Sequence, residues 1–200
     1  MTGYPEARSA ATVRPVVETD LPNIKALWND GAVMRFVGFP DGLGVDDEYM
    51  ARWFKWVTAA PDTRQAFAIE VEGLGYCGEA FYQVNPELPA IVDIKLTPAA
   101  QGLGLGHLGL SHALDELFAN TTATAAMVDP HQDNTPALRL YERLGFTERP
   151  WPTNHPEPAT DHRYLEVTRN AWLQRRGSQP DRRRSQVQYT NSMNATTEPK

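Results

Sequence analysis

A strand has to pass into a helix through the segment Leu96-Thr97-Pro98-Ala99-Ala100-Gln101-Gly102-Leu103-Gly104-Leu105-Gly106, and few folds allow that passage. Upstream, Ala90 to Leu96 is an aliphatic run of strand character that carries Asp93 and Lys95. Downstream, Leu110, Ala113, Leu114, Leu117 and Phe118 fall at i, i+3, i+4, i+7 and i+8, a helix with one buried face. The glycines between them let backbone N–H groups approach a ligand closely. The helix starting near Leu105 aims its positive end and its free N–H groups at the same place. Such a cradle holds a pyrophosphate without needing a lysine.

The rest of the chain supplies partners for this unit. Thr12 to Val17 reads as a strand, ending at Thr19-Asp20-Leu21-Pro22 with Asp20 placed to cap a helix. Ile24, Leu27, Trp28 and Gly31 then recur at helical spacing. A Gly38–Gly44 loop leads to the acidic start Asp46-Asp47-Glu48 of a second helix, whose one face carries Tyr49, Met50, Trp53, Trp56 and Val57. Gln65 to Val71 and Tyr76 to Val84 form a hairpin about Glu72-Gly73-Leu74-Gly75, and Ala90 to Leu96 follows as their antiparallel neighbour. After the glycine loop and its helix, Thr122 to Val128 predicts a strand and Asn134 to Leu144 a helix stopped by Gly145. Two last strands, from Phe146 and from Arg163 to Val167, flank a loop with Pro150, Pro152, Pro156 and Pro158. The order β-α-α-β-β-β-α-β-α-β-β predicts an α/β (α+β) fold: a mixed, mainly antiparallel central sheet with helices on both faces.

Length and charge set the limits of function. The 200 residues suffice for one core, expected over 12–176, with a flexible N-terminus at 1–11 and a disordered polar tail at 177–200. In Gly177–Lys200, Arg182, Arg183, Arg184 and Lys200 outnumber Asp181 and Glu198, leaving that segment at +2 and the rest at −8 within a total of −6. An acidic body disfavours nucleic acid and is compatible with a cationic partner. No apolar run reaches the roughly 20 residues of a membrane span, and Met1 to Ala11 lacks the basic start and apolar core of a secretory signal. The expectation is a cytoplasmic protein, monomer or homodimer, with no membrane or nucleic-acid partner. With Cys77 the sole cysteine, there is no disulfide and no thiolate cluster for zinc. His107 and His112 miss the i, i+4 spacing of a helical metal pair, so no metal is expected.

Gly104-Leu105-Gly106-His107-Leu108-Gly109 also spells G-x-G-x-x-G, with Asp129 at the end of the next strand as a possible ribose acid. Five residues, Thr97 to Gln101, separate the strand from Gly102, whereas a dinucleotide fingerprint turns directly off its strand. The preceding sheet is built from hairpins, and about 90 residues follow, too few for a doubly wound domain.

A second reading uses more of the chain. Gln101-x-x-Gly104-x-Gly106 followed by Asn134-x-x-Ala137-x-x-x-Tyr141-Glu142-x-x-Gly145-Phe146 resembles the GCN5-related N-acetyltransferase (GNAT) family, and the element order matches from Thr12 to Val167. The resemblance implies acetyl-CoA as acyl donor. It implies a pyrophosphate held by Gln101, Gly102, Leu103, Gly104, Leu105 and Gly106, and a pantetheine arm paired with backbone around Leu96 and Pro98. The helix carrying Asn134, Ala137 and Tyr141 would support that arm. Direct transfer to a primary amine, on a small molecule or a protein N-terminus, is the implied activity. A non-catalytic acyl-CoA-binding or regulatory domain of the same fold is the alternative.

Tyr141 stands where the family has the tyrosine that protonates the coenzyme A sulfur; a core tyrosine with a satisfied hydroxyl is the other reading. Asn134 caps its helix, and the resemblance adds a cofactor contact. The base is left open. Asp93 alternates with Ile91 and Lys95 on one strand face, and Glu79 sits similarly on the neighbouring strand. Either carboxylate could accept the ammonium proton, directly or through water, or either could form an ion pair with Lys95 on an exposed sheet face. In the family fold the acceptor side is walled here by Trp28, Asn29, Asp30, Phe36, Phe39, Tyr49, Trp53 and the Trp151–Pro158 loop. Val13-Arg14-Pro15, Asp20-Leu21-Pro22 and Leu27-Trp28-Asn29 look like the ribosomal-protein and aminoglycoside acetyltransferase branch.

Overall fold

Three antiparallel strands form the centre of the sheet, as the hairpin signals require. In the computed structural model, which describes residues 10–153 and 160–178, β2 (Arg64–Val71), β3 (Gly75–Gln83) and β4 (Ala90–Leu96) pair in sequence order. The first strand β1 (Ala11–Pro15) pairs with β2, Val13 opposite Ile69. Beyond β4 the sheet continues with β5 (Ala125–Val128) in parallel, then β7 (Leu165–Thr168) and β6 (Thr147–Glu148), giving the order β1-β2-β3-β4-β5-β7-β6. The expected mixed, mainly antiparallel sheet is the one found.

Helices cover both faces. On one side lies α4 (Leu105–Asn120), with Leu110, Ala113, Leu114, Leu117 and Phe118 buried as their spacing predicts. Beside it runs α5 (Thr135–Leu144), which buries Tyr141 and Leu144. On the other side α1 (Leu21–Trp28) contributes Ile24, Leu27 and Trp28, and α3 (Asp47–Thr58) contributes Met50 and Val57, over Ala66 and Ala68 of β2. Each large apolar side chain so buried contributes roughly 1.5–3 kcal/mol. Asp46 caps α3 through the Tyr49 N–H at 2.7 Å, as its acidic start suggests.

Several expectations need correction. The face of α3 that carries Met50 and Val57 is only partly buried: Tyr49 and Trp56 on it are 41% and 39% exposed and line a surface cavity. Asp20 does not cap α1: its carboxylate is taken by the Arg14 guanidinium at 2.7 and 2.8 Å and by the Val17 N–H at 2.9 Å. The strand expected from Thr122 begins at Ala125. Two helices went unread, the four-residue α2 (Gly31–Met34) and the terminal α6 (Arg169–Gly177). The latter lacks an amphipathic stripe; its one buried side chain is Trp172, whose indole N–H donates to Asp115 at 2.9 Å, and Arg169 donates to the Ala123 and Thr121 carbonyls at 2.8 and 2.6 Å. Most of the expected flexible N-terminus (1–9), Pro156 and Pro158 of the proline loop (154–159) and the tail with Arg182–Arg184 (179–200) lie outside the described residues.

Candidate functional site

The parallel seam of the sheet opens into a cleft. β4 and β5 pair at Ala90–Ala126 and Ile91–Met127, at the start of β4, and no later pair joins them among the described residues. From Val92 to Leu96 the strands diverge around a cavity of about 920 Å³ that reaches from Phe36 to Gln101 and Arg143. The Thr97 N–H bonds the Cys77 carbonyl of β3 at 2.9 Å. Alternation along β4 therefore turns the N–H groups of Lys95 and Asp93 toward β3, and those of Leu96 and Ile94 toward the cleft. A strand edge with outward N–H groups is suited to pairing with an extended, amide-bearing ligand.

The glycine loop closes one end of this cleft. Gly102 and Gly104 adopt φ of +78° and +82°, a region that penalises any side chain. A Cβ on either would meet nothing within 4 Å, so the loop shows bare backbone to open space. Gly104 stands at the N-cap of α4 with no side-chain cap, which leaves the first N–H groups of a 16-residue helix available to an anion. The loop is pinned from behind: Ala100 and Leu105 are buried with Ile69 and Cys77. Gln101 turns its amide back onto the Leu96 carbonyl at 3.3 Å.

The cleft lining includes Leu96, Gln101, Gly102, Gly104, Gly106, Asn134, Ala137 and Tyr141 of the expected cofactor residues. Three others lie off it: Leu105 is buried, Leu103 is 61% exposed, and Pro98 forms part of the short turn Pro98–Ala100. Asn134 caps α5 through the Ala137 N–H at 3.3 Å, as predicted. The structure adds Arg139 and Arg143, which also line the cleft. The sequence reading missed both, although their i, i+4 spacing on the helix of Tyr141 places them on one face.

Tyr141 is 7% exposed and borders the cleft. Burial raises its phenol pKa, and the Asp93 and Asp129 carboxylates push it further the same way. The hydroxyl is therefore kept protonated, a hydrogen-bond donor rather than a net acid.

Asp93, Lys95 and Glu79 meet on the face under α1 and α3, because Glu79 stands opposite Lys95 and Phe81 opposite Asp93 in the β3–β4 register. That face is not the exposed one considered for an ion pair. Glu79 is 2% exposed, accepts a hydrogen bond from the Trp28 indole N–H, and lies 3.8 Å from the Lys95 ammonium. Its second oxygen, Oε2, is buried with no hydrogen-bond partner. Burial drives the Glu79 pKa upward against the opposing pull of Lys95 and Trp28. For Lys95, burial acts downward, but Asp93 and Glu79 outweigh it and the net movement is upward. Lys95 also bonds Asp93, whose other oxygen accepts from the Ile94 N–H at 2.7 Å.

A second cavity, of about 280 Å³, opens on the same face. Its walls are Trp28, Tyr49, Trp53, Trp56 and Phe81, and its floor is Glu79, Asp93 and Lys95. Phe81, Asp93 and Lys95 border both cavities. Among the expected acceptor-side residues, Phe36 lines the large cleft, while Phe39 is 43% exposed away from both cavities. Asn29 and Asp30 are structural: Asn29 bonds the Val45 backbone at 2.8 and 2.9 Å, and Asp30 caps α2 at the Ala32 N–H. Trp151 packs on Tyr164, ring centroids 5.1 Å apart. Among the described residues no group of three or more His, Cys, Asp or Glu side chains could hold a metal ion.

Residues 11–147, more than half of the chain, match the family described as acetyltransferase (GNAT) domain. Over 78 residues the chain is 32% identical to a mycothiol acetyltransferase of Mycobacterium leprae, covering 37% of this chain and 25% of that protein. Over 84 residues it is 36% identical to a ribosomal-protein alanine N-acetyltransferase of Escherichia coli, covering 42% of this chain and 55% of that protein. The chain thus spans a quarter to about half the length of these curated relatives. In fold it resembles spermidine N-acetyltransferase from Vibrio cholerae in complex with CoA and spermine, with TM-score 0.66 and 20% identity over 82% of this chain and 98% of that one. A putative acetyltransferase from Salmonella typhimurium with its cofactor acetyl-CoA gives TM-score 0.65 and 21% identity, over 80% of this chain and 94% of that one.

Proposed function

This chain belongs to the GNAT acetyltransferase family, and on that footing we propose that it is an N-acetyltransferase that moves an acetyl group from acetyl-CoA directly to a primary amine. The observation that carries the proposal is the junction at Phe81, Asp93 and Lys95, where the large cleft and the small aromatic cavity meet. A donor in one and an acceptor in the other would be brought together at a carboxylate.

The residues present fit acetyl-CoA. The uncapped start of α4 and the bare loop at Gly102 and Gly104 suit its pyrophosphate, with Arg139 and Arg143 as nearby cations. The outward edge of β4 suits the amides of its pantetheine. When bound, this donor supplies an acyl group activated as a thioester.

The chain's own residues then divide the work. The Leu96 N–H, turned to the cleft, would donate to the carbonyl oxygen on which charge develops. Asp93, on the border of both cavities, would accept the proton of the incoming ammonium, with Glu79 behind it through Lys95. As the C–N bond forms and the C–S bond breaks, the Tyr141 hydroxyl would donate a hydrogen bond to the departing sulfur, and the second proton lost by the nitrogen balances the one the thiolate takes up to leave as free thiol. Names among the relatives point to amines of several kinds, and a protein N-terminus or a small amine both suit the site. The proposal includes a domain spanning 12–176 and a cytoplasmic location, the latter resting on the sequence reading; no helix of the described residues is long and apolar enough to cross a membrane.

Release of free coenzyme A from acetyl-CoA, measured with a panel of primary amines, tests the proposal. Amine-dependent release is expected. If acetyl-CoA raises the melting temperature while no amine releases thiol, the non-catalytic acyl-CoA-binding alternative takes its place.

A further inference from the structure

The small cavity specifies more than an amine. Five aromatic rings surround it, with Trp28 edge-to-face on Trp53 at 5.1 Å and on Tyr49 at 6.4 Å, and Trp56 beside Phe81 at 6.1 Å. Tyr49 and Trp56 keep large apolar surfaces exposed at its rim, an arrangement that marks a binding surface rather than packing. Such a ring of aromatics attracts either a cation or another flat apolar group.

Lys95 separates the two cases. Its ammonium lies 5.7 Å from the centroid of the Trp28 ring, so a cation of the chain's own already stands at that aromatic face. Asp93 and Glu79 both lie beside it; Glu79 is enclosed with this resident charge, and only Asp93 keeps a solvent-exposed part at the junction. Glu79 is also held by the Trp28 indole N–H, so the carboxylates on the floor are already engaged by partners of the chain itself. A second cation entering the cavity would face Lys95 at close range, in surroundings where like charges repel strongly.

We infer that the acceptor is a small arylalkylamine: its reactive amine reaches Asp93 at the junction, and its uncharged aromatic end fills the cavity between Trp28, Trp53, Trp56 and Phe81. The volume of about 280 Å³ lies at the small end of ligand sites and suits one ring or a fused pair on a short linker. A polyamine, which carries further ammonium groups, is disfavoured by the same geometry. This inference rests on the proposed acetyltransferase reading for the direction of the amine, while the aromatic cavity itself stands apart from it.

Two measurements on the full chain decide it. With saturating acetyl-CoA, kcat/KM is compared for phenethylamine, methylamine and spermidine. Phenethylamine should exceed methylamine by about 10- to 100-fold, the factor expected for burying a ring of that size, and should exceed spermidine as well. Spermidine turning over faster than phenethylamine overturns the inference and leaves the acetyltransferase reading intact. The second measurement needs no turnover: quenching of tryptophan fluorescence by phenethylamine and by spermidine, in the presence of coenzyme A. Saturable quenching by phenethylamine at lower concentration supports the inference even if no amine is acetylated; tighter binding of spermidine refutes it. In Lys95→Met the aromatic face loses its resident cation, so the affinity ratio should move toward spermidine by at least tenfold. An unchanged ratio in a folded variant contradicts the role given to Lys95.

Discussion

The Asp93 carboxylate accepts a hydrogen bond from the backbone N–H of Ile94, 2.7 Å away, on the edge of β4 that faces the cleft. One side chain therefore fixes itself at the junction by taking a cleft-facing donor, and hands the next such donor, Leu96, to whatever lies in the cleft. Its other oxygen is held by Lys95. This arrangement orients a carboxylate without burying it, which is what a group that must meet an incoming ammonium requires.

Replacing Asp93 by Asn keeps an acceptor for Ile94 and removes the charge. With Asp93 as the base, kcat in Asp93→Asn should fall about 10²–10⁴-fold. Glu79→Gln should lose less, since Glu79 borders only the small cavity of the two described and is held by Trp28. Steady-state rates of the two variants decide, and an Asp93→Asn enzyme with unaltered rate clears Asp93.

Tyr141→Phe removes the hydroxyl and keeps the ring packed against Phe146. Turnover should drop about 10²–10³-fold, the range found for a lost oxyanion-type donor, with little change in the dissociation constant for acetyl-CoA. Since burial holds the phenol protonated, the wild-type rate should show no limb assignable to its ionisation below pH 10. Equal rates for the two proteins would return Tyr141 to the core.

At Gly104 an added methyl group meets open space, but a φ of +82° strains it by about 1 kcal/mol. Gly104→Ala should lower the melting temperature by about 2–4 °C. Calorimetric titration should show acetyl-CoA affinity falling by more than tenfold, because the methyl group occupies the approach to the helix N-terminus. Loss of stability without loss of affinity would count against the cradle.

Away from the site, Asp20 tests the folding account. Burial acts to raise its pKa, but the Arg14 and Val17 hydrogen bonds prevail and lower it, so the pairing adds stability above the unfolded carboxylate's pKa, near 3.9. That stability is lost as pH falls through the lower folded value. Asp20→Asn should cost roughly 2–3 kcal/mol at pH 7, below the 3–5 of a fully buried pair because Arg14 retains Glu70. Denaturant melts from pH 7 to pH 2 should converge for the two proteins at the acid end.

Much of this architecture is written in local pattern. The Leu110–Phe118 stripe, the hairpin at Glu72–Gly75 and the Asn134 cap each follow from spacing or from a single residue's chemistry. What escaped notice depends on distant partners. Alternation along the strands left open whether Glu79 and Lys95 face solvent or a site; α1 and α3 cover them, and the Trp28–Glu79 bond spans 51 residues of sequence. Tyr49 and Trp56 carry the periodicity of a buried face but border a cavity, and periodicity does not distinguish the two. α6 is held by Trp172 on Asp115 and by Arg169 on the Ala123 and Thr121 carbonyls, partners that no window of its own sequence contains.

The central claim is direct transfer between the two cavities, and following the acetyl group tests it most simply. The full chain is incubated with acetyl-CoA labelled in the acetyl carbon, with and without phenethylamine or another accepted amine. The account predicts label on the amine in one-to-one ratio with released thiol, and none on the protein. Label retained on the protein as an intermediate, or thiol release that does not require an amine, would contradict it.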